Sequence, residues 1–194
     1  IPYGSDPVTA GDTTVIKSFG LEQDQYGLMI ARPVPENHTL EIVRTWSESG
    51  TLRPLVVLGE FHQDNSYHRS VKQAAADNIK FLGAIYDQAV VNSLRVHARV
   101  YLHGHSVGGT NPSLVEAMGA RNAVIAHDNR FNRWVAQEAA LYFSDQSELK
   151  ERLSLLEDDL MLKTMRIKAM TRHYRHFRWE QILSDYEALL LQFA

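Results

Sequence analysis

The sequence predicts an α/β fold, a doubly wound parallel sheet of the Rossmann kind followed by C-terminal helices. Three observations predict it. Short apolar runs recur through the first three quarters of the 194 residues. Helix-length amphipathic stretches alternate with them, which implies right-handed βαβ crossovers. From Gln146 onward the runs stop and helical periodicity takes over. The expected division is a Rossmann-like unit over 1–145 and a helical extension of the same domain over 146–194.

Taken in order, Gly27–Ala31 (GLMIA) reads as a buried strand, followed by a helix over about 36–47. Leu55–Gly59 (LVVLG) is the second strand and Ile79–Gly83 (IKFLG) the third. Ala89–His97 has helical spacing, and Val100–His103 (VYLH) is the fourth strand. A helix over Asn111–Gly119 leads to a fifth strand at Ala123–Ala126. A short helix starts near Asn129, and Leu141–Phe143 completes the sheet. Two terminal helices cover Ser147–Met170 and Trp179–Phe193.

Composition sets the limits. Hydrophobic residues make up 44%, enough for a packed core, and the formal charge of −3 lacks the basic excess that a nucleic-acid surface needs. There is no cysteine, hence no disulfide or thiolate chemistry. Nothing resembles a signal peptide, and no apolar run approaches the roughly 20 residues of a membrane span, so a cytoplasmic place is expected. The opening Ile1-Pro2-Tyr3-Gly4-Ser5-Asp6 reads as an interdomain strand and turn, the start of a fragment of a longer protein. Six Lys or Arg and no acid lie between Met161 and Arg178. Such a run makes a solvated helix face or a peripheral contact with anionic lipid.

Ligands of open parallel sheets bind beyond the carboxyl ends of the strands. The loop after the fourth strand is the richest. Gly104-His105-Ser106-Val107-Gly108 spells G-x-S-x-G, the nucleophile elbow of α/β-hydrolases. In an elbow the helix starts directly after the serine. Here Gly108, Gly109 and Thr110 intervene, and Asn111-Pro112 spell the helix start, Asn as N-cap and Pro at the first helical position. A hydrolase also needs a positioned histidine and acid, and nothing marks His127, His173 or His176 as that histidine. The same residues equally make a binding turn. Two glycines admit close backbone approach, helix amides favour a diphosphate, and Glu116 on the second turn offers a carboxylate to two vicinal hydroxyls.

The stretch HGHSVGGTNPSLVEAM, His103 to Met118, resembles the acid-containing signature of retaining GT-B glycosyltransferases of family four, within them the rhamnosyltransferase-like subgroup. Glu116-Ala117-Met118 matches its end. Tyr26 to Pro33 with Pro35-Glu36-Asn37 looks like the segment that carries the diphosphate-binding basic residues. Lys80 to Tyr86 looks like the strand and loop bordering the base, and Trp179 to Leu191 like the terminal helix that crosses back to the acceptor domain. The resemblance implies one half of a GT-B fold and sugar transfer with retention, without a metal or other cofactor. It implies a dTDP-, UDP- or GDP-linked sugar as partner, and a glycan or lipid-linked acceptor held by an absent N-terminal domain. Arg32 and Glu116 are then the catalytic candidates. Asn37, Leu82, Gly83, Ile85, Gly108, Gly109, Thr110, Asn111 and Glu116 would contact the donor. Two positions depart from the pattern. The family's first glutamate falls at Gly108, and its lysine at Asn37, which removes one cation from the pyrophosphate site.

Other chemistries find less support. His103-x-His105 lacks a third metal ligand nearby. No D-x-D motif is present, and Asp158-Asp159 reads as a solvated helix face. Ala31-Arg32-Pro33-Val34-Pro35 cannot supply the G-x-G-x-x-G of a nicotinamide site. Two alternatives stay open beside the transferase: a serine hydrolase using Ser106, and a non-catalytic interaction module.

Overall fold

The computed structural model describes residues 1–193. Six parallel strands form one sheet: β1 (Gly27–Ile30), β2 (Leu55–Leu58), β3 (Ile79–Gly83), β4 (Val100–His103), β5 (Ala123–His127) and β6 (Ala140–Phe143). Their order is β3-β2-β1-β4-β5-β6, so the chain winds outward from β1, returns, and winds outward again from β4. The helices are α1 (Thr13–Ser18), α2 (Thr39–Glu48), α3 (Ser66–Gln73), α4 (Gln88–His97), α5 (Pro112–Gly119), α6 (Arg130–Ala136), α7 (Gln146–Ser154), α8 (Asp159–His176) and α9 (Trp179–Leu191).

Alternation along the strands splits the core in two. Leu28, Val56, Tyr101, Val124 and Ala126 face α1, α4, α5 and α6, which bring Ile16, Leu94, Leu114 and Val135. Met29, Leu55, Val57, Leu102 and Ile125 face α2, α3 and α7, which bring Trp46, Val71 and Leu149. Helices of the first winding lie on one face and those of the second on the other. That change of face opens a crevice between the carboxyl ends of β1 and β4. Helix α8 gives Leu162 and Met165 to one cluster and Ala169 to the other, so the C-terminal segment ties the two faces together.

All six predicted strands form, within a residue of their expected bounds. Several expected helices need correction. The helix expected over 36–47 begins only at Thr39. A 3-10 turn over Pro35–Asn37 precedes it, and His38 takes a left-handed conformation, φ 48°, which interrupts α-helical continuity. Helices α1 and α3 were not expected, because each is short and presents one or two buried residues. Their caps, Asp12 and Asn65, are nevertheless ordinary N-cap residues whose side chains accept from the first-turn amides.

The helix expected over 147–170 is two. Leu155–Glu157 forms a 3-10 turn, and the Asp158 carboxylate caps α8 by accepting from the Met161 amide. Asp158-Asp159 is therefore the start of a helix, with both residues exposed as a solvated face requires. Asp159 reaches the buried guanidinium of Arg99, 2.6 Å away. The basic run is also less free than a solvated face implies. Arg166 bonds Asp24 and the Arg99 carbonyl, and Arg172 donates to the carbonyls of Trp134 and Val135.

The N-terminal segment lies against the C-terminal helices. The Ser5 amide donates to the Phe177 carbonyl at 2.7 Å, and Tyr3 meets Trp179 edge to face.

Candidate functional site

Two loops close the crevice at the switch point and hold each other in place. The loop after β1 carries Arg32 to His38, and the loop after β4 carries Gly104 to Asn111. The amide and the hydroxyl of Ser106 both donate to the Glu36 carbonyl, at 2.9 and 3.0 Å. His38 Nδ1 lies 2.9 Å from the Gly104 carbonyl. A Cβ at Gly104 would collide with the Asn37 carbonyl, so this glycine is required by close backbone approach. Ser106 is thereby a fastener between loops. Its hydroxyl is engaged with backbone and with no histidine, and five residues lie between it and the start of α5. The geometry of a nucleophile elbow is absent.

Arg32 is exposed, and no carboxylate pairs with it among the described residues. Asn37 is 4% exposed, and its Nδ2 donates to the Arg32 carbonyl at 2.8 Å. The asparagine thus shapes the loop that presents the arginine, with its amide turned inward. Beyond Ser106 the chain opens out. Gly108 sits at φ 107° with nothing within 4 Å of a Cβ there, and Gly109 is equally open. Thr110 is partly buried, and Asn111 caps α5 by accepting from the amide and hydroxyl of Ser113. The result is an open turn with a free cation on one side and the positive end of α5 on the other.

Glu116 is oriented by a residue the sequence did not single out. Arg95, from the last turn of α4, is 3% exposed and forms an ion pair with the Glu116 carboxylate. Glu116 itself is 29% exposed, so the buried guanidinium fixes one oxygen while the group still reaches solvent. The pairing crosses from α4 to α5, which no local spacing reveals.

The loop after β3 lies further along the same edge. Leu82 and Gly83 line a cavity of about 660 Å³ with Phe61, Phe81 and Lys72. The Lys72 ammonium stands 3.5 Å from the Phe81 ring centre. Ile85 packs on the core under α4. Another cavity, about 760 Å³, is at the opposite end of the sheet around Trp46, Arg53 and Glu157. Volume alone does not mark the site there. The strand order places a ligand crevice at the carboxyl ends, and those residues are bound to one another by Trp46 Nε1 to the Arg53 carbonyl and by the Arg53–Glu157 pair.

Four imidazoles gather at the carboxyl ends of β1, β4 and β5: His38, His103, His105 and His127. His103 and His105 stack with centres 4.4 Å apart, and His38 and His127 at 4.2 Å. Burial holds His103 and His127 below the ordinary histidine range and lowers His105 to about 4, with the Arg32 charge adding to the effect on His105. The sequence showed His103-x-His105 only as a chelate. Among the described residues, no group of three or more His, Cys, Asp or Glu is arranged to hold a metal ion.

Neither a family model nor a curated protein matches the chain by sequence. Solved structures do match. Sucrose-phosphate synthase from Thermosynechococcus elongatus superposes with a TM-score of 0.82 at 19% identity, over 100% of this chain and 52% of that one. HepE of Anabaena, in complex with UDP and glucose, gives 0.82 at 14% identity over 96% and 55%. A glycosyltransferase from Rickettsia africae gives 0.81 at 12% over 96% and 55%. The chain therefore has the fold of one Rossmann-like half of a GT-B glycosyltransferase, and spans about half the length of the solved chains it matches.

Proposed function

We propose that the chain is the donor-binding half of a retaining, metal-independent glycosyltransferase. One observation carries this reading: the loop that carries Arg32, which pairs with no carboxylate among the described residues, is tied through Glu36 and Ser106 to the loop that opens into the Gly108–Thr110 turn at the switch point of the sheet. Departure of a nucleoside diphosphate needs preorganised positive charge and donors where negative charge builds up. Arg32 supplies the charge, and the amides of Gly108, Gly109 and Thr110 with the N-terminus of α5 supply the donors. Glu116, steadied by Arg95, accepts from the ribose hydroxyls, and the Leu82–Ile85 loop borders the base. Asn111, with Oδ1 committed to its cap, has its Nδ2 left for the sugar, and Asn37 serves through the loop it shapes.

The similarity of fold to HepE, solved with UDP and glucose, supports a nucleotide sugar as the partner. The acceptor, a glycan or a lipid-linked glycan, would be presented by a second domain, and rhamnosyl transfer in polysaccharide synthesis is the assignment that the HGHSVGGTNPSLVEAM stretch favours. Titration with UDP, GDP and dTDP and their sugars tests the reading. Binding of at least one is expected, weakened at least tenfold in Glu116→Ala, since a carboxylate with two hydroxyl partners contributes about 1.5–3 kcal/mol. A folded protein with no affinity for any of them overturns it.

A further inference from the structure

The donor reading leaves the diphosphate one side-chain cation, Arg32. Asn37 stands where a second would be, and its amide is occupied by the Arg32 carbonyl. Another side chain stands on the β4 loop that is tied to the loop carrying Arg32. His105 follows the Gly104 constriction directly and lies near enough to Arg32 for the guanidinium charge to act on its ring. Its carbonyl accepts from Asn129 Nδ2 at 2.9 Å and Asn132 Nδ2 at 2.8 Å, so the residue is fixed from β5 and α6. His103 stacks behind it with ring planes 12° apart, which fixes the orientation of the ring. Nδ1 is buried with no partner, while the ring as a whole is only partly buried. Burial closes Nδ1 to a ligand, so Nε2, which makes no hydrogen bond among the described residues, is the ring nitrogen that a ligand atom can reach.

We infer that His105 is the second side-chain ligand of the diphosphate, giving an imidazole N–H to a phosphate oxygen beside Arg32. This rests on the donor reading. Free of ligand the ring is neutral at physiological pH, held so by burial and by Arg32. A phosphate anion against it favours the imidazolium, so the ring titrates higher in the complex than in the free protein. Binding then takes up a proton from solvent, and affinity grows as pH falls through the range where the complex is protonated and the free protein is not. The other groups facing this ring are Arg32 from the β1 loop and His103 beside it on β4, and His103 in turn meets His127 from β5. Behind His127 stand His38, Asp128 and Glu41.

The test is calorimetric titration of the chain with UDP-glucose, GDP-glucose and dTDP-glucose from about pH 8 to about pH 5.5, in buffers of different ionisation enthalpy. A diphosphate diester gains no proton over that range, so uptake reports the protein. The wild type is expected to bind one of the three more tightly at the acid end, with net proton uptake. His105→Phe keeps the stacked ring, removes the N–H, and is expected to lose about tenfold in affinity and the pH slope together. His105→Asn keeps a donor without a titrating group, and is expected to recover part of the affinity with a flat profile. Should His105→Phe unfold, the flat profile of His105→Asn decides. Wild-type affinity or an unchanged slope in either variant overturns the assignment and leaves the donor reading standing. Absence of binding in the wild type itself overturns the donor reading.

Discussion

Ser106, Glu116 and the histidines show how far single residues carried the functional argument. The letters G-x-S-x-G were visible at once, and the late Asn111-Pro112 cap already argued against a nucleophile. The structure supplies the positive reason for them. Gly104 is there because the Asn37 carbonyl leaves no room for a Cβ, and Ser106 because two loops need joining. Gly104→Ala is accordingly expected to cost about 3 kcal/mol or more in a urea melt, since a backbone must shift to admit the methyl. Ser106→Ala is expected to cost only about 1 kcal/mol. Ser106 is also expected to stay unlabelled by a fluorophosphonate probe. Labelling would restore the hydrolase.

Glu116 was legible from its place on the helix, but Arg95 was not, because a partner on a neighbouring helix leaves no mark in local spacing. Arg95→Met leaves Glu116 unsteadied and is expected to weaken nucleotide binding several-fold with the fold retained; unaltered binding would mean the pair serves structure alone. The buried histidines give a further expectation. Their folded-state pKa values are depressed, so the unfolded chain binds more protons below the ordinary histidine range of about 6.5. Stability is fully present above that value and is lost as pH falls toward about 4, where His105 titrates. Urea midpoints at pH 7.5 and 5 should differ in that direction.

Among elements, the strands were the easiest to read, since most are short apolar runs, β2 and β4 being buried throughout. Helix starts were harder. His38 carries a positive φ that no local rule demands of a histidine, and that one residue moves the start of α2 by three positions. The break between α7 and α8 was hidden by apolar residues, Leu153, Leu155 and Leu156, that continue the helical pattern through the 3-10 turn. What sets the break is tertiary. The Leu156 carbonyl accepts from Arg99 Nε at 2.7 Å, and the same guanidinium reaches Asp24 and Asp159. Arg99→Met would leave the Leu156 carbonyl unpaired and Asp159 without its cation, and would leave Asp24 with Arg166 alone. A loss of about 3 kcal/mol is expected in chemical denaturation. A loss below about 0.5 kcal/mol would show that the α7–α8 corner is held by its apolar contacts alone.

The whole molecule is a doubly wound sheet whose change of winding sets the β1 and β4 loops against each other, and whose C-terminal helices bind its two faces together. No described helix is long and apolar enough to cross a membrane. Peripheral attachment would depend on the cations of α8, and the fold engages Arg166 with Asp24 and Arg172 with carbonyls, while Lys168 lies 3.6 Å from Glu138. Each cation left free contributes about 1 kcal/mol at an anionic surface. Cosedimentation with phosphatidylserine vesicles is therefore expected to be weak and abolished by salt; strong, salt-resistant binding would require another surface.

Calorimetric titration of Arg32→Ala beside the wild type, with UDP, GDP and dTDP, tests donor binding at the switch-point crevice most directly. The account predicts that the wild type binds at least one of the three and that the variant, equally stable because Arg32 is exposed and unpaired, loses at least tenfold in affinity. Equal binding by the two proteins would contradict it.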